Sequence, residues 1–342
     1  MIPTRPTIPD VRKIALIRAG AIGDLLVTLP AIYAIRVAYP AAEIILLSDS
    51  VSIELAGYGR TPVNRCIELP PIKGILANGY LAWYECTEFL QQMKKERFDI
   101  VVNFQGRGIT ANPMINEFGA GHTVSFRDRN TEETDTCLNY YYFQPEQLRF
   151  IELVDKIGAR PVMLEPKLRL LNTDKDLAEK ILEKAGPPPY IILNPFSKDI
   201  RRTWPLHNYK PVVHELAELG YTIILTGSLS QKDELDLLAA ECNQACYNAA
   251  GMITVPVLAA LISKAALVIA PDTGPLHLAR AVETPSVGIY WAPNLINWGP
   301  LTRDKHKPVI SWQMKCPFCG IIPVDPYPYE PRDQCTHEVS FV

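Results

Sequence analysis

Residues 13–32 read KIALIRAGAIGDLLVTLPAI. A β-branched apolar run, KIALIR, gives way to two glycines and an aspartate, and an apolar run with helical spacing follows. Strand, tight turn and helix in that order is the opening unit of a parallel α/β sheet. Asp24 stands at the junction, where it is either a helix cap or a carboxylate placed for chemistry.

Working outward, the same alternation recurs. EIILLS, RCIEL, DIVVNF and HTVSF read as further strands, and 24–38, 51–58, 76–97 and 108–119 as the helices between them. EQLRFIELVDKIGA closes the series as a helix. After LLNTDKDLAEKILEKAGPPPY, where the prolines after Gly186 must end a helix, a second series begins. Its strands are YIILNPF, YTIILTGS, ALVIAPD and PSVGIYW; its helices are 208–219, 231–241, 254–263 and 275–282. The expectation is α/β, with a first Rossmann-like domain over 1–172, a second over 173–300 and a proline- and cysteine-rich tail over 301–342, read as an ordered loop. Ligands of open parallel sheets bind beyond the carboxyl ends of the strands, so two such sheets facing each other across a cleft would suit a two-substrate enzyme.

At 342 residues the chain is long enough for two buried cores. Its 48% hydrophobic and 21% charged residues are those of a folded globular protein, not a disordered one. A net charge of −3 argues against a nucleic-acid partner. No apolar run reaches transmembrane length and the first residues lack a secretory pattern, so a cytoplasmic protein is expected.

Several strand ends carry candidate chemistry. In ALVIAPDTGPLHLARAVETPSVGIY, Asp272 ends a strand, Thr273 and Gly274 make a turn, and a helix starts near Pro275, where a missing N–H costs nothing. The first turn of a helix offers N–H groups and a positive dipole end to an anion such as phosphate. His277, one turn in, either reaches that pocket or is a structural hydrogen bonder. NPFSKDIRRTWP presents Ser197, Lys198, Arg201 and Arg202, and guanidinium groups bind a diphosphate bidentately without a metal. TGSLSQ is a third strand-end loop, carrying Thr226, Gly227 and Gln231. Arg107, Arg127 and Arg129 follow first-domain strands and either meet an anionic acceptor or lie on a solvated face.

These motifs resemble glycosyltransferase family 9, the lipopolysaccharide heptosyltransferases and their relatives. RAGAIGDLLVTLPAI resembles the family's opening motif, with its Gly23-Asp24 pair before an apolar run ending in Leu-Pro. DTGPLHLARAVETPSVGIY resembles the donor-site motif, and RTWP the basic-x-Trp-Pro loop; weaker similarity runs from about residue 12 to 300. The resemblance implies a GT-B fold, with the acceptor on the first domain and a nucleotide-activated sugar, typically ADP-heptose, on the second. It implies inversion at the anomeric carbon with neither a cofactor nor a catalytic metal. Asp24 matches the family's candidate catalytic carboxylate, and Gly23, Arg107 and Arg127 fall on the acceptor side. Ser197 and Arg202 match donor-phosphate positions, Ile253 falls near the adenine, and Thr226, Gly227, Gln231, Asp272, Thr273, Gly274, Pro275 and His277 complete the donor set. Two positions depart from the pattern: Arg202 stands where many members have lysine, and Gln231 where a glutamate often meets the donor ribose. The acceptor would be a saccharide or glycolipid, which implies peripheral contact with the inner face of a membrane.

Two other classes share some of these features. A non-catalytic nucleotide-sugar or saccharide binding protein would keep the scaffold and loops, with Asp24 and the basic loop arguing against it. A dinucleotide-dependent oxidoreductase fits less well, because RAGAIGD lacks the full GxGxxG pattern. In the tail, CPFC with Cys335 and His337 gives a candidate Cys3His zinc set of Cys316, Cys319, Cys335 and His337. The one-residue gap between Cys335 and His337 favours reduced cysteines packed as apolar groups, and a disulfide is the least favoured reading.

Overall fold

The structure, a computed structural model, describes residues 6–242, 245–323 and 339–342. The chain divides after Arg169 into two compact units. The first contains β1 (Lys13–Ile17), α1 (Ile22–Leu26), α2 (Leu29–Ala38), β2 (Glu43–Ser48), α3 (Ser50–Ala56), β3 (Arg65–Glu68), α4 (Thr87–Glu96), β4 (Ile100–Asn103), α5 (Ala111–Asn116), β5 (His122–Arg127), β6 (Thr136–Asn139) and α6 (Glu146–Asp155). The second contains α7 (Asn172–Ala185), β7 (Tyr190–Leu193), α8 (Tyr209–Glu218), β8 (Thr222–Leu225), α9 (Lys232–Glu241), β9 (Cys246–Asn248), α10 (Val255–Lys264), β10 (Ala265–Pro271), α11 (Gly274–Ala281), β11 (Ser286–Trp291), α12 (Ala292–Trp298) and β12 (His306–Ser311).

Each unit holds one six-stranded sheet, and the two share a topology. The orders are β3-β2-β1-β4-β5-β6 and β12-β11-β10-β7-β8-β9, and every pairing is parallel. The first strand of each unit therefore lies between the second and the fourth, and the winding reverses between β1 and β4 and between β7 and β10. At such a switch point the outgoing loops part and leave a crevice at the carboxyl ends.

Burial explains why the apolar runs become strands. Ile14, Ala15, Leu16 and Ile17 on β1 are wholly buried, as are Ile44 to Leu47 on β2, because a parallel sheet is covered on both faces. Each large aliphatic side chain so buried contributes about 1.5–3 kcal/mol of hydrophobic free energy. One face of the first sheet packs Ile17 and Val101 against Met93, Phe98 and Phe118. In the second, Ile191, Leu193 and Ile223 pack against Tyr209, Val213 and Leu235.

Several expected helices are shorter than their apolar patterns. The run 24–38 breaks into α1 and α2, because Pro30 in the first turn of α2 has no N–H to continue the ladder. Over 76–97 the helix is reduced to a single 3-10 turn at Trp83–Glu85 and α4. The preceding segment folds on itself through Ile72–Leu81 and Lys73–Leu76 bridges, and a side chain at Gly79 would run into the Ile72 carbonyl. The expected 108–119 helix reduces to α5, since Gly108 has φ +80°. The tail, read as loop, supplies β12, which pairs with β11 from Ser286↔His306 to Trp291↔Ser311. Pro308 is tolerated there because β12 is an edge strand. The short strands β6 and β9, also edge strands, were not expected either.

Candidate functional site

In the first unit, the β1/β4 switch point is built around Asp24. The turn Arg18–Ala21 leaves β1, and Phe104 and Gln105 leave β4 beside it. Arg18 Nη1 donates to Phe104 O at 2.9 Å, and Ala19 N–H to Gln105 Oε1 at 2.9 Å. Asp24 is the third residue of α1. Its Oδ2 accepts from the Ala21 N–H at 2.6 Å, satisfying one of the helix's orphan donors, and its Oδ1 accepts from Arg18 Nη2 at 2.6 Å. It is thus both a cap and half of an ion pair. The Asp24 side chain keeps 24% of its surface exposed, while that of Arg18 keeps 5%. Each carboxylate oxygen still has a lone pair beyond those two bonds, so Asp24 can accept from an incoming hydroxyl.

Gly20 makes this arrangement fit. Its φ is +140°, and a Cβ there would overlap Asp24 Oδ2. Only glycine meets both conditions at no steric cost.

In the second unit, the β7/β10 switch point is built around Asp272. Its side chain is 1% exposed. Oδ2 accepts from Arg202 Nη1 at 2.9 Å and from Asn294 Nδ2 at 3.1 Å, and Oδ1 faces His277 Nε2 at 3.7 Å. Arg280 Nη1 lies 3.4 Å from His277 Nδ1; a guanidinium can only donate, so the imidazole proton sits on Nε2, facing Asp272. Burial pushes the Asp272 carboxyl up, but the opposing His277 and Arg202 outweigh it and hold the group below its ordinary value. Ser197 Oγ donates to Asp272 O at 3.4 Å. Thr273 and Gly274 open α11 here, where first-turn N–H groups lack intrahelical partners.

The structure thus gathers Ser197, Arg202, Asp272, Thr273, Gly274, Pro275 and His277 at one strand-end crevice. His277 and Pro275 are buried, and the His277 ring is engaged by Arg280 and Asp272. Thr226 follows β8 and is buried, its Oγ1 donating to Asn194 Oδ1 at 3.5 Å. Gln231 Oε1 accepts from the Ser228 N–H at 2.9 Å and so caps its own turn. Gly227 accepts from the Gly251 N–H at 3.1 Å, which brings the loop of half-buried Ile253 beside it.

The acceptor-side residues are less concentrated. Gly23 is buried inside α1. Arg107 pairs with Asp128 at 3.3 Å and lies over the Tyr140 ring. Arg127 pairs with Glu133 near the β6 edge; Arg129 N–H donates to Asp128 Oδ1 at 2.7 Å. In the tail, the Cys316 carbonyl accepts from the Gly320 N–H at 2.9 Å, closing a turn that contains Cys319. Cys335 and His337 lie outside the described residues, and among the described residues no group of three His, Cys, Asp or Glu could hold a metal ion.

Sequence reasoning missed the residues that hold these sites together: Arg18, Gln105, Glu146 and Arg149 in the first unit, Asn194 and Asn294 in the second. Arg18 depends on Phe104 and Glu146, Gln105 on Ala19 and Asn294 on Asp272, all far apart along the chain, and the only local signal was an arginine ending an otherwise apolar strand at Arg18.

A family model described as Glycosyltransferase family 9 (heptosyltransferase) matches residues 86–317. The chain is 23% identical to the lipopolysaccharide core heptosyltransferase OpsX of Haemophilus influenzae over 297 residues, 84% of this chain and 82% of that protein. Among solved structures, a family 9 glycosyltransferase from Veillonella parvula superposes with a TM-score of 0.73 at 16% identity, covering 87% of this chain and 85% of that one. The E. coli ADP-heptose lipopolysaccharide heptosyltransferase II gives 0.70 at 19% identity, covering 87% and 90%. Asp24 precedes the family match, so its part in the site stands on its geometry.

Proposed function

Since the chain belongs to glycosyltransferase family 9, we propose that it transfers a heptosyl group, with inversion, from an ADP-heptose-like donor to a lipopolysaccharide-core or related saccharide acceptor. The observation that carries this reading is the Arg202–Asp272 pair beside the first turn of α11. Asp272 fixes the guanidinium where an anion bound to the α11 N–H groups would meet it. Arg202 and Ser197 then take the donor diphosphate with those N–H groups, as a cationic clamp for charge that grows on the leaving group. Thr226, Gly227, Gln231 and Ile253 belong to the nucleoside side of the donor, and Asp272 and His277 position Arg202 and α11.

Asp24 belongs to the acceptor. The acceptor hydroxyl oxygen forms the new bond to the anomeric carbon while the bond to the diphosphate oxygen breaks. The nucleoside diphosphate leaves with that electron pair, and the hydroxyl proton passes to Asp24. No step calls for a metal. Asp24 already accepts from Arg18 and Ala21, so orienting the hydroxyl comes first and the proton follows late. The similarity to OpsX and the E. coli enzyme supports a lipopolysaccharide acceptor and an ADP-heptose donor. Such an acceptor is carried by a membrane, so the protein would work in the cytoplasm against the inner membrane face. Among the described residues no helix is long and apolar enough to cross a membrane.

The test is to incubate the full chain with ADP-heptose and a core saccharide lacking its heptose, following ADP release and acceptor mass together. A gain of one heptose per ADP supports the proposal. Donor binding without any transfer would instead identify a nucleotide-sugar binding protein.

A further inference from the structure

A buried chain of alternating charge runs inward from Asp24. Arg18 Nη2, 2.6 Å from Asp24 Oδ1, also lies 3.9 Å from Glu146 Oε2. Glu146 opens α6 and pairs with Arg149 one turn later. Arg149 is wholly buried, donates to the carbonyls of Tyr142 at 3.1 Å and Gln144 at 3.2 Å, and stacks over the Tyr140 ring at 4.0 Å. Arg18 lies over Phe150, 5.1 Å from the ring centroid. Buried charges are costly unless paired, and this cluster pairs each arginine with a carboxylate.

A guanidinium facing one carboxylate prefers to grip both of its oxygens. Arg18 does not do so: Nη2 donates to Oδ1, Nε to the Asp24 backbone carbonyl at 3.1 Å and Nη1 to the Phe104 carbonyl, while Oδ2 takes only the Ala21 N–H. The second anion beside Arg18 is Glu146. We infer that Glu146 is a positioning residue for transfer, its charge beside Nη2 helping the two backbone carbonyls to hold the Arg18 fork in this one-oxygen grip, so that Asp24 Oδ2 stays open to the acceptor hydroxyl. This rests on the transfer reading of Asp24. Arg149 in turn holds Glu146 and the 140–144 loop.

The groups facing Glu146 are Arg18 from the turn after β1, Asp24 from α1, Arg149 from its own helix, and Tyr140 after β6, with Arg107 beyond the Tyr140 ring. Burial pushes the Glu146 carboxyl above its ordinary range, against the pull of Arg18 and Arg149, and the negative charge of Asp24 pushes the same way. As the pH falls, Glu146 takes a proton and its charge no longer helps to hold the Arg18 fork in that grip.

The experiment compares the wild-type chain with Glu146→Gln in the heptosyl-transfer assay across pH. The expected result is a roughly tenfold lower kcat with an unchanged donor KM. The acid limb that Glu146 supplies is missing from the variant, which lacks the Glu146 charge at every pH. Glu146→Asp keeps the charge but withdraws it by one methylene; a smaller loss with the limb retained is expected. It also carries the test if Glu146→Gln does not fold, since a wild-type kcat in Glu146→Asp would then overturn the inference. Wild-type kcat in Glu146→Gln, or kcat and KM altered together with an unchanged profile, overturns the positioning role alone. No turnover by the wild-type chain overturns the transfer reading and this inference with it.

Discussion

Arg202 Nη1 lies 2.9 Å from Asp272 Oδ2, a contact between residues 70 positions apart that joins the loop after β7 to the end of β10. The carboxylate is buried and the guanidinium partly exposed, so the pair is anchored at one end and open at the other. If the open end meets a diphosphate, Arg202→Ala raises the donor KM by about 10- to 100-fold, the worth of a charge-assisted hydrogen bond of about 1.5–3 kcal/mol. Initial-rate kinetics with varied donor would show it.

Arg202→Lys keeps the charge but not the fork. A single ammonium cannot hold Asp272 and a phosphate with parallel bonds, so the donor KM should fall between those of the wild type and the alanine variant. A value equal to wild type would mean that charge alone matters at this position.

Asp272 links the site to stability. Its carboxyl lies below its ordinary value in the folded chain, so the folded state binds that proton less readily than the unfolded one. The resulting stabilisation is fully present above the unfolded value of about 4 and is lost as the pH falls through the lower folded value. Urea unfolding should show a midpoint that drops on acidification below about pH 4, less steeply in Asp272→Asn. At pH 7 Asp272→Ala should cost about 3–5 kcal/mol, since it strands a partly buried Arg202.

Gly20→Ala tests how tightly the Asp24 turn is packed. The new Cβ would overlap Asp24 Oδ2 at a φ that alanine resists. A stability loss of about 1–3 kcal/mol and a fall in kcat larger than any change in donor KM are expected from denaturant titration and kinetics.

The parallel sheets and the strand-end loops were legible in the sequence because their signals are local: β-branched runs, a Gly-Asp turn, a Pro at a helix start. β6, β9 and β12 were not: TCLN and CYN carry almost no β-branched residues, and HKPVIS is interrupted by Pro308. The helix expected over 76–97 is cut back to α4, because the apolar residues before it serve a folded loop pinned by the close approach at Gly79. At the sites, Asp24 and Asp272 were visible as polar residues at strand ends. Arg18, Glu146 and Asn294 were not, because Arg18 is fixed by the Phe104 carbonyl and faces Glu146 from far along the chain, and Asn294 reaches Asp272 from α12.

The central claim is that Asp24 serves the acceptor and not the donor. The most direct measurement is transfer by Asp24→Ala alongside donor affinity by calorimetry. The expected result is a kcat reduced by about 10²–10⁴-fold, the usual worth of a positioned proton acceptor, with a donor Kd within about twofold of wild type. Transfer at the wild-type rate, or loss of donor binding with the fold intact, would contradict it.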